Sequence, residues 1–118
     1  MKSCCTAVDV LMSVEDLSEF AVNFLLSGHG TSRQLAVQLA QKMPQSPPLE
    51  VVFLLSITAS GIEETFSGPQ MERLAVESWR AAALLSVDLH MMQLRGLRCA
   101  TCHDLLTYWR QVDGFFLA

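Results

Sequence analysis

Charge is scarce in this sequence. Asp, Glu, Lys and Arg make up 17% of its 118 residues, against 51% apolar residues, and the mean hydropathy is +0.32. That balance excludes intrinsic disorder, which needs low hydrophobicity and high charge. Glycine (6) and proline (4) are few and scattered, which excludes collagen-like and low-complexity chains. No basic stripe is present, and the net charge is −4, so nucleic acid is not an expected partner. No apolar run is long enough for a membrane span: the uncharged stretches Phe20–Ser32 and Val51–Ile62 are 13 and 12 residues, short of the ~18–20 required. There is no lysine-bearing phosphate loop and no Gly-x-Ser-x-Gly elbow. Lys2 can open a leader peptide, but Asp9 cuts short the apolar stretch behind it. The expected location is therefore intracellular, cytoplasm or nucleus, where thiols stay reduced.

The length suits a single helical domain over residues 1–118, standing alone or as a piece of a longer helical-repeat scaffold. A chain of this size can bury roughly 65% of its unfolded surface. Its charge is uneven: residues 1–68 carry three cations and seven acids, residues 69–118 five of each. An acidic half is a solvated face, or a surface that steers a basic partner.

Helix punctuation is legible throughout. Ser13 precedes Val-Glu-Asp, a cap followed by acids in the first turn. Leu17, Phe20, Ala21, Phe24 and Leu25 recur at helical spacing until Gly28. Thr31 stands three residues before Gln34, the capping-box pattern, and Pro44 stops the stripe Leu35, Leu39, Ala40 and Met43. Segment 49–59 is ambiguous. Val51, Val52, Phe53, Ile57 and Thr58 favour a strand, whereas Ser46 as cap with Pro47 at the first helical position favours a helix. A lone strand has no partner here, so a buried helix ending at Gly61 is expected, then a loop or short turn over 62–68.

Pro69 opens a helix expected to run to Arg95, before Gly96. Met71, Leu74, Ala75, Ala82, Leu85, Leu89 and Met92 share one face, with Val76, Ala83, Val87 and Leu94 as a second stripe beside it. Arg73, Glu77, Asp88 and Arg95 form a narrow charged arc. A helix apolar over most of its circumference is expected at the centre of its bundle. A last helix is expected from Leu97 to about Val112, followed by the apolar tail Phe115–Leu117. The fold class is thus all-α: a compact bundle, or stacked helical hairpins, of five to six helices.

The one pattern with chemical content is Cys99-Ala-Thr-Cys102-His103. Cys-x-x-Cys-His is the attachment signature of c-type haem, and over these five residues the chain resembles four-helix cytochromes of the c′ kind. As a metal site, Cys99, Cys102 and His103 would face one zinc ion from one side of a helix. The fourth ligand would come from Cys4, Cys5 or His90. The plainer reading makes Cys102 part of the packing stripe Leu105, Leu106, Trp109 and Val112, with no cofactor bound. Leu11–Gly28 is similar over 18 residues to a helix of formate dehydrogenase accessory (sulfurtransferase) proteins. That family's catalytic and binding motifs are absent from the remainder, so the likeness is one between similarly capped amphipathic helices.

Enzyme constellations are thin. His29 lies on a Gly-His-Gly joint, and Glu63 and Glu64 are paired acids on a loop, without an identifiable nucleophile. Gly28-His29-Gly30-Thr31-Ser32 can hold an anion at a helix start, or serve simply as a helix–helix joint. The main expectation follows from surplus hydrophobicity. The chain reads as a protein-interaction module that binds another protein, or itself as a homo-oligomer, through Val76, Val87, Met91, Leu94, Phe115 and Phe116. Trp79 and Trp109 can serve as anchors of such a contact, with core packing the main expectation for each.

Overall fold

The computed structural model describes residues 13–118. Five helices follow one another: α1 (Val14–Leu26), α2 (Ser32–Lys42), α3 (Leu49–Thr65), α4 (Pro69–Leu94) and α5 (Cys102–Gln111). A 3-10 turn over Phe115–Leu117 ends the chain, and there is no strand among the described residues. The all-α expectation holds.

Local chemistry explains most boundaries. Ser13 caps α1 by accepting from the Asp16 N–H, and Thr31 and Gln34 form the reciprocal capping box of α2. Gly28 (φ 74°) and Gly96 (φ 69°) take the left-handed conformation that ends α1 and α4. In both, the next residue's N–H reaches back, from His29 to the Phe24 carbonyl and from Leu97 to the Met92 carbonyl. This is the Schellman closure that satisfies free carbonyls.

Three boundaries differ from the sequence reading. Segment 49–59 is helical, but Ser46 does not cap it. The carbonyls of Pro47 and Pro48 receive the N–H groups of Glu50 and Val51 instead. The helix also runs through Gly61 to Thr65, carrying Glu63 and Glu64 on its last turn rather than on a loop. The reason is Ile62, which is fully buried and outweighs the ~1 kcal/mol that a mid-helix glycine costs relative to alanine. A Cβ added at Gly61 meets nothing within 4 Å. Gly61→Ala should therefore stabilise the fold by about 0.4–1 kcal/mol, read as a higher urea midpoint; a loss of stability would contradict the helix assignment there. Finally, the last helix begins at Cys102, not Leu97, because Thr101 and Asp104 make a second capping box.

The layering also corrects an expectation. The central helix is α2, not α4. It packs on α1, α3, α4, α5 and the terminal turn, through Leu35, Ala36, Leu39 and Ala40, all fully buried. Two alanines on its faces let neighbours approach closely. α3 and α4 form a long antiparallel hairpin, fastened where the Ser78 hydroxyl donates to the Leu55 carbonyl at 2.8 Å. The molecule measures 41 × 40 × 20 Å, the thickness of two helix layers. At 26 residues α4 is ~39 Å long, so it spans the slab's full width without protruding.

Candidate functional site

α4 presents apolar side chains on two opposite sides. Ala75, Ala82, Leu85, Leu89 and Met92 line its core face. Val76 and Leu85 are nine positions apart, which at 3.6 residues per turn is about half a revolution. The second stripe therefore stands opposite the core, not beside it. Val76, Val87 and Leu94 are 49%, 54% and 67% exposed, and Ala83 completes the line in solvent. Met91 is half-buried at its edge. On the solvent side of α3, Leu49 (66% exposed) and Phe53 extend the apolar surface. Leu49 shares a pocket wall with Ser86 and His90 of α4. The sequence reading missed Leu49 and Phe53. Their i, i+4 spacing, out of phase with Val51, Leu55 and Ile62, was the available signal.

The tryptophans divide. Trp79 is exposed on the outer side of α4, whereas Trp109 is 1% exposed. Phe116 is 2% exposed and stacks on Trp109 with ring centroids 4.7 Å apart. It is a core residue and leaves the set of surface candidates. Phe115 stays exposed, with the Arg33 guanidinium 4.6 Å over its ring.

Asp88 belongs to the core face rather than to the charged arc. Its carboxylate accepts from the Trp109 indole N–H at 2.9 Å, a bond across 21 positions that periodicity cannot reveal. Burial pushes the Asp88 carboxyl above its usual value; the Trp109 bond pulls it back in part, and Asp113 adds to the rise. A folded-state value above the unfolded one means that the fold holds the proton more tightly. The contribution of Asp88 to stability is thus greatest below 3.8 and falls as pH rises through the raised value. Asp88→Asn retains an acceptor for Trp109 and should remove this fall. Urea titrations of both proteins across acidic pH will show it, and parallel pH profiles would rule it out.

The Cys99–His103 segment is taken apart by the fold. Cys102 is fully buried at the first position of α5. Cys99 precedes the helix and is half-buried, on the wall of a pocket of about 290 Å³ that also carries His90 and Gln93. His103 is exposed and faces a different depression with Thr107 and Tyr108. Among the described residues, no group of three or more His, Cys, Asp or Glu is placed to hold a metal ion; Cys4 and Cys5 lie outside them. Burial pushes the Cys102 thiol up to about 12, with Glu50 adding to it, and burial followed by Asp104 raises Cys99. Without a metal both thiols are protonated at neutral pH, which makes them poor nucleophiles.

Instead, this segment anchors α5. The N–H groups of Cys102 and His103 donate to the carbonyls of Ser46 (2.8 Å) and Pro44 (2.9 Å). Asp104 accepts from the N–H groups of Ala100 and Thr101 and from Arg98. Burial alone would raise the Asp104 carboxyl, but these donors hold it below its usual value. Its contribution to stability is present above 3.8 and lost as pH falls, the opposite sign to Asp88. His29 is exposed, and its ring bonds the neighbouring Ser27 hydroxyl. No helix among the described residues is long and apolar enough to cross a membrane. No protein-family model, no curated protein and no solved structure matches this sequence.

Proposed function

We propose that this chain is a non-enzymatic protein-interaction subunit, binding a partner protein or a second copy of itself by helix-on-helix packing. The observation that carries this reading is the apolar line on the solvent side of α4. Val76, Ala83, Val87 and Leu94 are spaced seven, four and seven residues apart, positions of one heptad seam that Arg80 and His90 interrupt. Trp79 lies beside that line, and a half-exposed indole is a common interface anchor. Leu49 and Phe53 add exposed apolar side chains on α3.

Sedimentation velocity over a wide concentration range, with native mass spectrometry of the purified full chain, tests the reading. The expected result is reversible self-association, or a stoichiometric complex with a defined protein, and no added cofactor mass. A chain that stays monomeric at high concentration and binds no apolar dye would overturn it. A mass increment of haem or zinc would replace it with a cofactor protein built on Cys99, Cys102 and His103.

A further inference from the structure

We propose that the N-terminus of α2 is a binding site for the phosphate group of a small phosphomonoester. The site borders the apolar face of α4, sharing Arg80, four residues after Val76, at its edge, but does not rest on that face. Its base is the helix end itself. The Thr31 hydroxyl takes the Gln34 N–H, and Leu35 is the first residue to bond back along the helix, to the Thr31 carbonyl. The N–H groups of Ser32 and Arg33 find no acceptor among the described residues. Two free amides at the positive end of a helix dipole form an anion cradle.

The independent observation is the Ser32 side chain. Ser32 is 3% exposed, and its hydroxyl is the one buried side-chain polar atom among the described residues that has no hydrogen-bond partner. It lines a pocket of about 260 Å³. A buried hydroxyl is normally satisfied, and the unpartnered one here belongs to a residue of the pocket wall.

The walls supply charge. Arg33 spends one N–H on the Phe115 carbonyl at 3.1 Å and rests on that residue's ring, so its guanidinium is held in place with donors to spare. Arg80 reaches the same pocket from α4 and makes no ion pair or hydrogen bond among the described residues. Glu77 is the one acid on the rim and pairs with neither arginine. Two arginines less one glutamate leave the lining at +1, in a chain of net charge −4. An oxyanion facing two guanidiniums, two amides and a hydroxyl is the arrangement that recognises phosphate.

The pocket is larger than a phosphate alone needs: a water's share of liquid volume is ~30 Å³. Ala81, Leu84 and the Phe115 ring give the remaining space an apolar wall, which suits the organic body of an ester.

The test titrates the full chain with inorganic phosphate and with phenyl phosphate at constant ionic strength. Heat of binding and thermal midpoint are followed, with chloride as control. Saturable binding of both is expected, tighter for phenyl phosphate. Arg80→Ala, an exposed position, should weaken both by about tenfold or more, the worth of a charged hydrogen bond. Ser32→Ala should leave the unliganded fold at least as stable while weakening phosphate binding several-fold. No saturable binding of either probe, or unchanged affinity in Arg80→Ala, overturns the site. Binding of inorganic phosphate with exclusion of phenyl phosphate overturns the ester assignment.

Discussion

Trp109→Ala is expected to remove about 3–5 kcal/mol of stability. Trp109 is the largest fully buried side chain. Its loss opens a cavity where α4, α5 and the terminal turn converge. The change also strips Asp88 of its indole donor and Phe116 of its stacking partner. An acceptor left buried and unpaired adds about 1–3 kcal/mol. Against a total of about 5–15 kcal/mol for a domain, the variant will be partly unfolded at room temperature or will melt at much lower urea. Trp109→Phe keeps an aromatic surface against Phe116 and loses the N–H together with part of the ring volume, so its smaller loss shows how much of the effect comes from the stacked ring. A Trp109→Ala chain within about 1 kcal/mol of the parent, less than a typical core truncation, would mean that the C-terminal turn is not packed as described.

The double substitution Val87→Glu, Leu94→Glu should leave the fold almost untouched and abolish association. Both side chains are more than half exposed, so the new carboxylates stay hydrated in the isolated chain. Surface changes of this kind alter stability by about ±0.5 kcal/mol or less. In a helix–helix interface the same carboxylates lose water without gaining a counter-ion, and each unpaired buried charge costs several kcal/mol. Association should weaken by at least about a hundredfold, since each 1.4 kcal/mol is tenfold. Sedimentation and urea denaturation on the same samples separate the two effects. Unchanged association with an unchanged fold would move the contact surface off α4.

How much was legible in the sequence depends on whether a signal is local. Ser13, the Thr31–Gln34 box, Gly28, Pro69 and Gly96 act on residues within one turn, and each was read correctly. The Thr101–Asp104 box is just as local, but it was hidden inside a run whose apolar periodicity looked continuous from Leu97. Gly61 misled because its local cost is visible while the burial of Ile62 is not. The second stripe of α4 was seen, and its position opposite the core became clear only with the neighbours in place. The central role of α2 was invisible because it comes from Ala36 and Ala40, small residues whose value lies in what they allow to come near. The Asp88–Trp109 bond and the burial of Phe116 are tertiary facts with no periodic trace.

The two bonds at the start of α5 bear on how the protein breathes. The first amides of a helix ordinarily face solvent and exchange their hydrogens freely. Those of Cys102 and His103 are instead spent on the carbonyls of Ser46 and Pro44, more than fifty residues away along the chain. Fraying of α5 from its tip cannot expose them. Deuterium enters only when the whole helix lifts from the turn between α2 and α3, an opening whose free energy approaches that of the surrounding core. These two amides are therefore gauges of a concerted opening of the slab.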